Sequence, residues 1–269
     1  MFHFTIGMDP NLARIGPFVL AWHGLLTAFA IVLAVVVIYR EFARRGLSLE
    51  KFDGLAFWTI IGGILGARLF YVIDHADYFV DHPLEAFAIQ EGGLAVYGAV
   101  IGGFFTVLLL TRLLGYPFGQ VIDAIAPGLI LAQAVGRIGC LINGDAWGAP
   151  TDGPFSLTYT HPDALLPSSL HGVPTHPYPI YDMIMNLMIF GVVIWLNRRR
   201  LPAGTTFAVF ALLYAVTRFV ISFVRQERIW FWGLQEAQVV SLVVLAVSAV
   251  ALYILLRRRQ PSTEPLTAD

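Results

Sequence analysis

Seven long apolar stretches, separated by polar segments, dominate the pattern of the chain. They are residues 18–39, 56–73, 94–114, 121–142, 180–196, 205–224 and 238–256. Each is close in length to the ~20 residues that an α-helix needs to cross a bilayer core. The fourth is the most interrupted, because Asp123, Gln133 and Arg137 lie within it. The pattern predicts an all-α integral membrane protein, a polytopic bundle of about seven transmembrane helices.

Composition supports a lipid environment. The chain is 57% hydrophobic and 13% charged, whereas about a quarter of the residues of a soluble domain are charged. A net charge of -1 gives no electrostatic reason to bind nucleic acid, so we expect no such partner. The single cysteine, Cys140, excludes an internal disulfide and a cysteine-rich metal site.

Basic residues fall on alternate sides of the predicted spans. Eleven of the 17 Lys and Arg follow or end the odd-numbered stretches: Arg40, Arg44, Arg45, Lys51, Arg112, Arg198, Arg199, Arg200, Arg257, Arg258 and Arg259. The opposite loops, residues 74–93 and 143–179, contain neither Lys nor Arg. Basic loops stay in the cytoplasm, which predicts an external N-terminus and a cytoplasmic C-terminus. Residues 1–259 are predicted as one transmembrane domain, and residues 260–269 as a disordered cytoplasmic tail.

Two loop and packing features stand out. The external segment 143–179 is rich in Pro, Gly, Thr, Ser and His and is far longer than a typical connection, so a lid or substrate-docking loop is expected. Two GxxxG patterns predict helices in close contact. They are Gly62 with Gly66, and Gly98 with Gly102.

Three arginines lie within or at the ends of predicted spans: Arg68, Arg137 and Arg218. An arginine in a span costs at least about 2.5–3.5 kcal/mol on insertion scales and indicates function by default. Asp74, Asp123 and Asp145 are available as counterions, and a lipid phosphate is the alternative, because the guanidinium fork binds phosphate bidentately. For each arginine alone the two partners are equally plausible, whereas three together favour an anion site.

The densest polar stretch runs Gly-Arg-Ile-Gly-Cys-Leu-Ile-Asn-Gly-Asp-Ala-Trp-Gly over residues 136–148. It resembles the signature of the bacterial prolipoprotein diacylglyceryl transferases, G-R-hydrophobic-G-N-hydrophobic-hydrophobic-N-G-E-x-x-G. Further segments agree with that family in order and spacing: residues 15–17, 22–25, 66–72, 91–98, 123–127 and 176–182, with Tyr214, Arg218, Phe223, Arg225 and Gln226. The resemblance therefore covers nearly the whole chain.

The resemblance implies transfer of the diacylglyceryl group of phosphatidylglycerol to the thiol of a lipobox cysteine in prolipoprotein signal peptides. A thioether forms and glycerol phosphate leaves, in the bacterial cytoplasmic (inner) membrane. It implies no cofactor and no metal. By similarity, Arg137 binds the phosphate and Arg218 assists the phosphate or the leaving group. Tyr97 or His23 orients or deprotonates the thiol, and histidine is the natural base near neutral pH.

Six further residues are expected to bind or shape the lipid headgroup: Arg68, Asn143, Asp145, Gly148, Tyr214 and Arg225. The chain departs from the family at four positions, with Cys140 for Asn, Asp145 for Glu, Pro179 for Gln and Ser222 for Glu.

His23 and Tyr97 stand where the family often has Tyr and His. We therefore expect the two side chains to face one cavity, with His176 as the substitute base if they do not. A catalytically silent phospholipid-binding relative and a small-molecule transporter are the alternative functions. A transporter should show repeated halves, and the sequence shows no internal repeat.

Overall fold

A computed structural model describes residues 2–16, 18–89, 92–227 and 229–257. In these ranges seven helices are long and apolar enough to span a membrane: α1 Trp22–Arg44, α2 Phe52–Asp74, α4 Val96–Leu114, α5 Phe118–Asn143, α6 Tyr178–Asn197, α7 Thr205–Ile221 and α8 Glu236–Arg257. A 3-10 turn, Ser222–Val224, extends α7. The predicted all-α polytopic membrane fold is confirmed. The orientation of its termini stays a prediction, and the predicted tail 260–269 lies outside the described residues.

Short elements precede the first span or connect later ones. They are β1 Phe2–Ile6, β2 Asn11–Ile15, β3 Phe18–Ala21, α3 Ala76–Asp81, β4 Phe155–Tyr159, β5 Ile229–Phe231 and β6 Leu234–Gln235, with 3-10 turns at Pro83–Phe87 and Ser168–Leu170. β1 pairs with β4 in parallel, while β2–β3 and β5–β6 are antiparallel hairpins. Because β3 occupies residues 18–21, the first span begins at Trp22 rather than at the predicted residue 18.

The chain divides into two compact units, Tyr39–Val121 and the described residues of Met1–Ile38 with Ile122–Asp269. The interpretation of residues 1–259 as one domain stays a prediction. In the unit Tyr39–Val121, the two GxxxG patterns face each other across α2 and α4. A Cβ atom at Gly66 would lie 2.8 Å from the Cα atom of Gly102, a distance that real side chains do not tolerate. The predicted close packing at the glycines is therefore confirmed.

In the other unit, α5, α6 and α7 carry the core. From Pro179 onward the buried residues of α6 recur every three or four positions and so lie on one face. They are Pro179, Asp182, Asn186, Ile189, Val193 and Asn197, and the first residue of the helix, Tyr178, is buried as well. Ile189 and Val193 pack with Ala126, Ile130 and Phe210 in an apolar cluster. Three buried polar side chains, Tyr178, Asp182 and Asn186, lie in the N-terminal half of α6, and a fourth, Asn197, lies at its C-terminal end.

Two glycines allow α1 to pack closely against α5. A Cβ atom at Gly128 would meet the Ala34 carbonyl oxygen at 2.8 Å, and one at Gly139 would meet the His23 Cα atom at 3.2 Å. Since the later glycine contacts the earlier residue of α1, the two helices are antiparallel. This packing places His23 beside the C-terminal end of α5.

Asp123 stabilises the opposite end of the unit. Its two carboxylate oxygens accept 2.8 Å hydrogen bonds from the backbone N–H groups of Gly204 and Phe207, at the start of α7. The Asn197 amide donates to the Asp123 carbonyl at 3.1 Å. A carboxylate at a helix N-terminus satisfies free N–H groups and the helix dipole. Asp123 therefore joins α5, α6 and α7 at the end of the unit that holds the C-terminus of α6 and the N-terminus of α7.

The long segment after α5 is folded rather than irregular. Leu157 and Thr175 exchange two backbone hydrogen bonds of 2.8 and 2.9 Å, and Leu157 shares a small core with Tyr159, Ala164, Leu166 and Leu170. The Tyr159 hydroxyl donates to the Leu141 carbonyl at 2.9 Å. Burial raises the pKa of Tyr159, so the phenol stays a donor that ties this layer to α5. Its function as a lid stays a prediction.

Candidate functional site

A buried tyrosine lies at the centre of three arginines. Tyr178, the first residue of α6, is fully buried. The guanidinium carbons of Arg137, Arg218 and Arg225 lie 5.9, 5.8 and 4.9 Å from its ring centroid. A guanidinium within about 6 Å of an aromatic face is attracted by the ring quadrupole. The Tyr178 ring therefore lies within attractive distance of three guanidiniums, which come from α5, α7 and the segment after α7.

Two carboxylates pair with these arginines. Asp182, one turn after Tyr178, has Oδ2 2.5 Å from Arg137 Nε. Glu227 Oε1 lies 3.1 Å from Arg218 Nη2 and 2.7 Å from Arg225 Nη1. The three arginines and two acids have a formal charge of +1. We call these five side chains and Tyr178 the arginine cluster.

The carboxylates that pair with Arg137 and Arg218 are not among the three that the sequence offered as counterions. Among Asp74, Asp123 and Asp145, the second caps α7, whereas Asp182 and Glu227 form the ion pairs. Arg137 pairs with Asp182 because α6, which carries Asp182, packs beside α5, which carries Arg137. Which helix faces Arg137 depends on packing, which the sequence alone does not reveal.

His23 lies next to the arginine cluster. Its Nδ1 atom is 3.9 Å from Asp145 Oδ2 and 4.0 Å from Cys140 Sγ, and Arg137 Nη1 is 3.5 Å from that sulfur. Gly139 allows this approach, because a Cβ atom there would lie only 3.1 Å from the imidazole nitrogen. An imidazole, a thiol and a carboxylate thus meet beside the cationic group.

A cavity of about 540 Å³ opens beside His23, which is 37% exposed. Two of the predicted site residues, His23 and Asn143, line it, together with residues of the N-terminal segment and of the folded layer: Pro10, Asn11, Ala21, Gly24, Pro162, Asp163, Ala164 and Leu165. Its volume falls in the range of small-molecule sites, about 300–1,000 Å³. A small molecule or side chain that enters the cavity can therefore reach the His23 imidazole.

The turn after α5 brings three segments together. Gly144, with φ of 76°, ends the helix and donates its N–H to the Cys140 carbonyl at 2.9 Å. Gly148 pairs with Arg225 in an isolated bridge, and a Cβ atom on it would lie 2.7 Å from the Cβ of His176. Asn143, the last residue of α5, is buried. The glycine therefore permits the backbone approach that holds Arg225 near the site.

The structure also describes three further predicted site residues, Arg68, Tyr97 and Tyr214. Arg68 and Tyr97 belong to the unit Tyr39–Val121. The Arg68 guanidinium donates to four backbone carbonyls, at distances of 2.5 to 3.1 Å: Glu85, Ala86, Gly92 and Gly93. Tyr214 is half-buried one turn before Arg218 on α7. Their lipid-binding or catalytic roles stay predictions.

Two departures from the family pattern are accommodated locally. Pro179 lies in the first turn of α6, where no backbone N–H is needed and proline is well tolerated. Ser222 is buried and donates its hydroxyl to the Arg218 carbonyl at 2.7 Å. Neither substitution therefore disturbs the helix that carries it.

Three members of the arginine cluster were missed from the sequence: Tyr178, Asp182 and Glu227. Asp182 had a usable signal, since it is an acidic residue inside a predicted span and such residues need partners. Glu227, between two arginines in sequence, had a weaker one. Tyr178 had none, because a tyrosine at a span boundary is usual at a membrane interface.

Comparison with known proteins gives a consistent result. The profile of the family described as prolipoprotein diacylglyceryl transferase matches residues 10–254. Relatives named phosphatidylglycerol–prolipoprotein diacylglyceryl transferase are similar over almost their full length. One from Nostoc is 35% identical over 94% of this chain and 91% of its own. One from Acaryochloris marina is 35% identical over 95% and 94%. One from Dehalococcoides mccartyi is 33% identical over 98% and 100%.

Proposed function

The chain belongs to the prolipoprotein diacylglyceryl transferase family, and we propose that it transfers the diacylglyceryl group of phosphatidylglycerol to a lipobox cysteine. The thiol sulfur forms a bond to the terminal glycerol carbon of the lipid. The bond from that carbon to the phosphate oxygen breaks, and its electron pair leaves with glycerol phosphate. The thiol proton passes to a base. The chain is accordingly a transferase and a multi-pass membrane protein.

The arginine cluster is the observation that carries this proposal. Its guanidiniums can receive the single negative charge of the phosphodiester in phosphatidylglycerol. Fixed guanidiniums that are largely shielded from solvent stabilise the charge that develops on a departing phosphate. Arg137 is the principal ligand, because its fork can bind two phosphate oxygens, and Arg218 and Arg225 stand beside it around Tyr178.

His23 is the proposed base. A thiol with a pKa of about 8.5 is only a few per cent ionised at neutral pH, so transfer needs a proton acceptor. The imidazole lines the cavity and lies 3.9 Å from the Asp145 carboxylate, which stabilises the imidazolium that forms. Tyr97 is the second candidate for orienting the thiol, and Asn143, Asp145 and Gly148 shape the headgroup pocket.

The site is proposed to face the external side of the bacterial cytoplasmic membrane. Tyr178 begins α6, and Asn197 ends it next to Arg198, Arg199 and Arg200. Because basic loops stay in the cytoplasm, the arginine cluster lies toward the outer leaflet. A lipobox cysteine of an exported precursor reaches the membrane on that side.

The test is transfer by the purified protein in detergent, with phosphatidylglycerol and a lipobox peptide followed by gel shift. Arg137→Ala is expected to abolish transfer, and Arg137→Lys to leave it well below the parental rate, because lysine lacks the bidentate fork. Arg199→Ala, at the other end of α6, is the matched control and should retain the parental rate. Parental transfer by a normally inserted Arg137 variant would refute the assignment.

A further inference from the structure

His23, Cys140 and Asp145 place three different donor atoms at one point. The imidazole nitrogen, the thiol sulfur and a carboxylate oxygen all lie within 4.8 Å of one another. All three residues belong to the same compact unit. We propose that they form a binding site for one thiophilic divalent cation of the Zn²⁺ class.

The spacing fits such an ion after a small movement. Tetrahedral Zn²⁺, with bonds of about 2.0–2.3 Å to nitrogen, oxygen and sulfur, holds its ligand atoms about 3.4–3.6 Å apart. The observed separations from His23 Nδ1 are 3.9 Å to Asp145 Oδ2 and 4.0 Å to Cys140 Sγ. Closing the site on an ion shortens these two separations by about half an ångström and brings Cys140 Sγ and the Asp145 carboxylate, which lie within 4.8 Å of each other, into the same range.

The donor set also has the right charge, while Arg137 Nη1 donates to the Cys140 sulfur at 3.5 Å and has to release it when an ion binds. Thiolate, imidazole and carboxylate are the ligands that Zn²⁺ takes in proteins, and one thiolate with one carboxylate neutralises two positive charges. Asp145 Oδ1 is a buried atom without a hydrogen-bond partner among the described residues. The fourth position is left to water or to a thiol from the cavity that His23 lines. A single cysteine excludes a cysteine-rich site but not this mixed one.

A second cluster of possible ligands provides an internal comparison. Asp9, His161 and Asp163 also lie within reach of one ion, but they offer no sulfur. Asp163 already pairs with Arg14 at 2.5 Å, and its N–H donates to His161 Nδ1 at 3.2 Å. We therefore assign thiophilic binding to the cluster with Cys140 and use His161 as the control.

Binding has a consequence that rests on the proposed function. A neutral imidazole with a metal on Nδ1 carries its hydrogen on Nε2, so His23 has no nitrogen left to accept the thiol proton. Zn²⁺ at this site therefore lowers the rate of transfer.

The binding test is a titration of the detergent-purified chain with Co²⁺, which reports sulfur ligation through its near-ultraviolet charge-transfer absorption. The parent should develop this band at one ion per chain. Cys140→Ala should lose it, His23→Ala should need more than about tenfold more Co²⁺, and His161→Ala should match the parent. Absence of the band in the parent overturns the proposal, as does equal Co²⁺ affinity in the parent and Cys140→Ala.

Transfer measured in parallel separates the two proposals. An inactive parent that shows the band would refute the proposed function and leave the metal site standing. An active parent without the band would refute the metal site alone. With Zn²⁺ added, parental transfer should fall, and Cys140→Asn, compared with its own metal-free rate, should need more than about tenfold more Zn²⁺ for the same loss. Equal sensitivity of the two proteins would overturn the inhibitory role.

Discussion

Asp182 is the counterion of Arg137, and replacing it measures the electrostatics of the arginine cluster. Its side chain is 3% exposed, and Oδ2 lies 2.5 Å from Arg137 Nε. Asp182→Asn keeps the shape and one acceptor oxygen but removes the negative charge. The formal charge of the cluster rises from +1 to +2, and the Arg137 guanidinium is left in a largely desolvated position.

The expected loss of stability is large. Removing one partner of a buried ion pair costs about 3–5 kcal/mol. Arg137 is 19% exposed and the polar asparagine amide remains beside its guanidinium, so we expect a value near the lower end, about 3 kcal/mol. At about 2–4 °C per kcal/mol for chains of roughly this size, the unfolding temperature should fall by about 6–12 °C.

The assay is thermal unfolding of the purified protein in neutral detergent, with and without phosphatidylglycerol. A ligand that binds the folded state raises the unfolding temperature. The lipid should raise that of Asp182→Asn more than that of the parent, because Arg137 then lacks its protein anion. Asp182→Glu keeps the charge and is the matched control. Equal losses in the Asn and Glu variants, or equal lipid effects on Asp182→Asn and the parent, would refute the reasoning.

Three other substitutions test the packing, the helix cap and the exchanged pair. Gly102→Leu should destabilise the protein by at least about 1–3 kcal/mol, because the side chain collides with Gly66 of α2; thermal unfolding in detergent measures this. Asp123→Ala should lower the free energy of unfolding by about 0.5–2 kcal/mol, because it removes the acceptor for the first N–H groups of α7. Asp123→Asn should lower the unfolding temperature by less than Asp123→Ala. His23→Tyr combined with Tyr97→His should transfer faster than either single exchange if both side chains reach one cavity; gel shift of the lipobox peptide decides, and multiplicative losses would contradict a shared cavity.

The spans were predictable because lipid imposes a strong local requirement. An apolar helix of about 20 residues satisfies its own backbone and leaves a continuous signal in the sequence, so all seven were found. The start of the first span was missed because residues 18–21 pair with β2. The parallel pairing of β1 with β4 joins segments some 150 residues apart, and no local pattern reports such a contact.

Site residues were predictable where a charged side chain inside a span is energetically costly. They were not predictable where the packing of distant segments determines the contacts. Arg137 and Arg218 were found because arginine in a span needs an anionic partner. Arg68 met the same criterion, yet backbone carbonyls satisfy its guanidinium. The sequence cannot distinguish these outcomes, because the partner depends on how distant segments pack. For the same reason Tyr178 was missed, although three guanidiniums surround its ring.

Transfer itself is tested most directly with phosphatidylglycerol that carries deuterium only in the glycerol of its diacylglyceryl group. The purified chain, this lipid and a lipobox peptide are incubated, and both products are analysed by mass spectrometry. We expect a peptide whose cysteine carries a deuterated diacylglyceryl thioether, together with undeuterated glycerol phosphate. An unmodified peptide, or deuterium in the released glycerol phosphate, would contradict the proposed reaction.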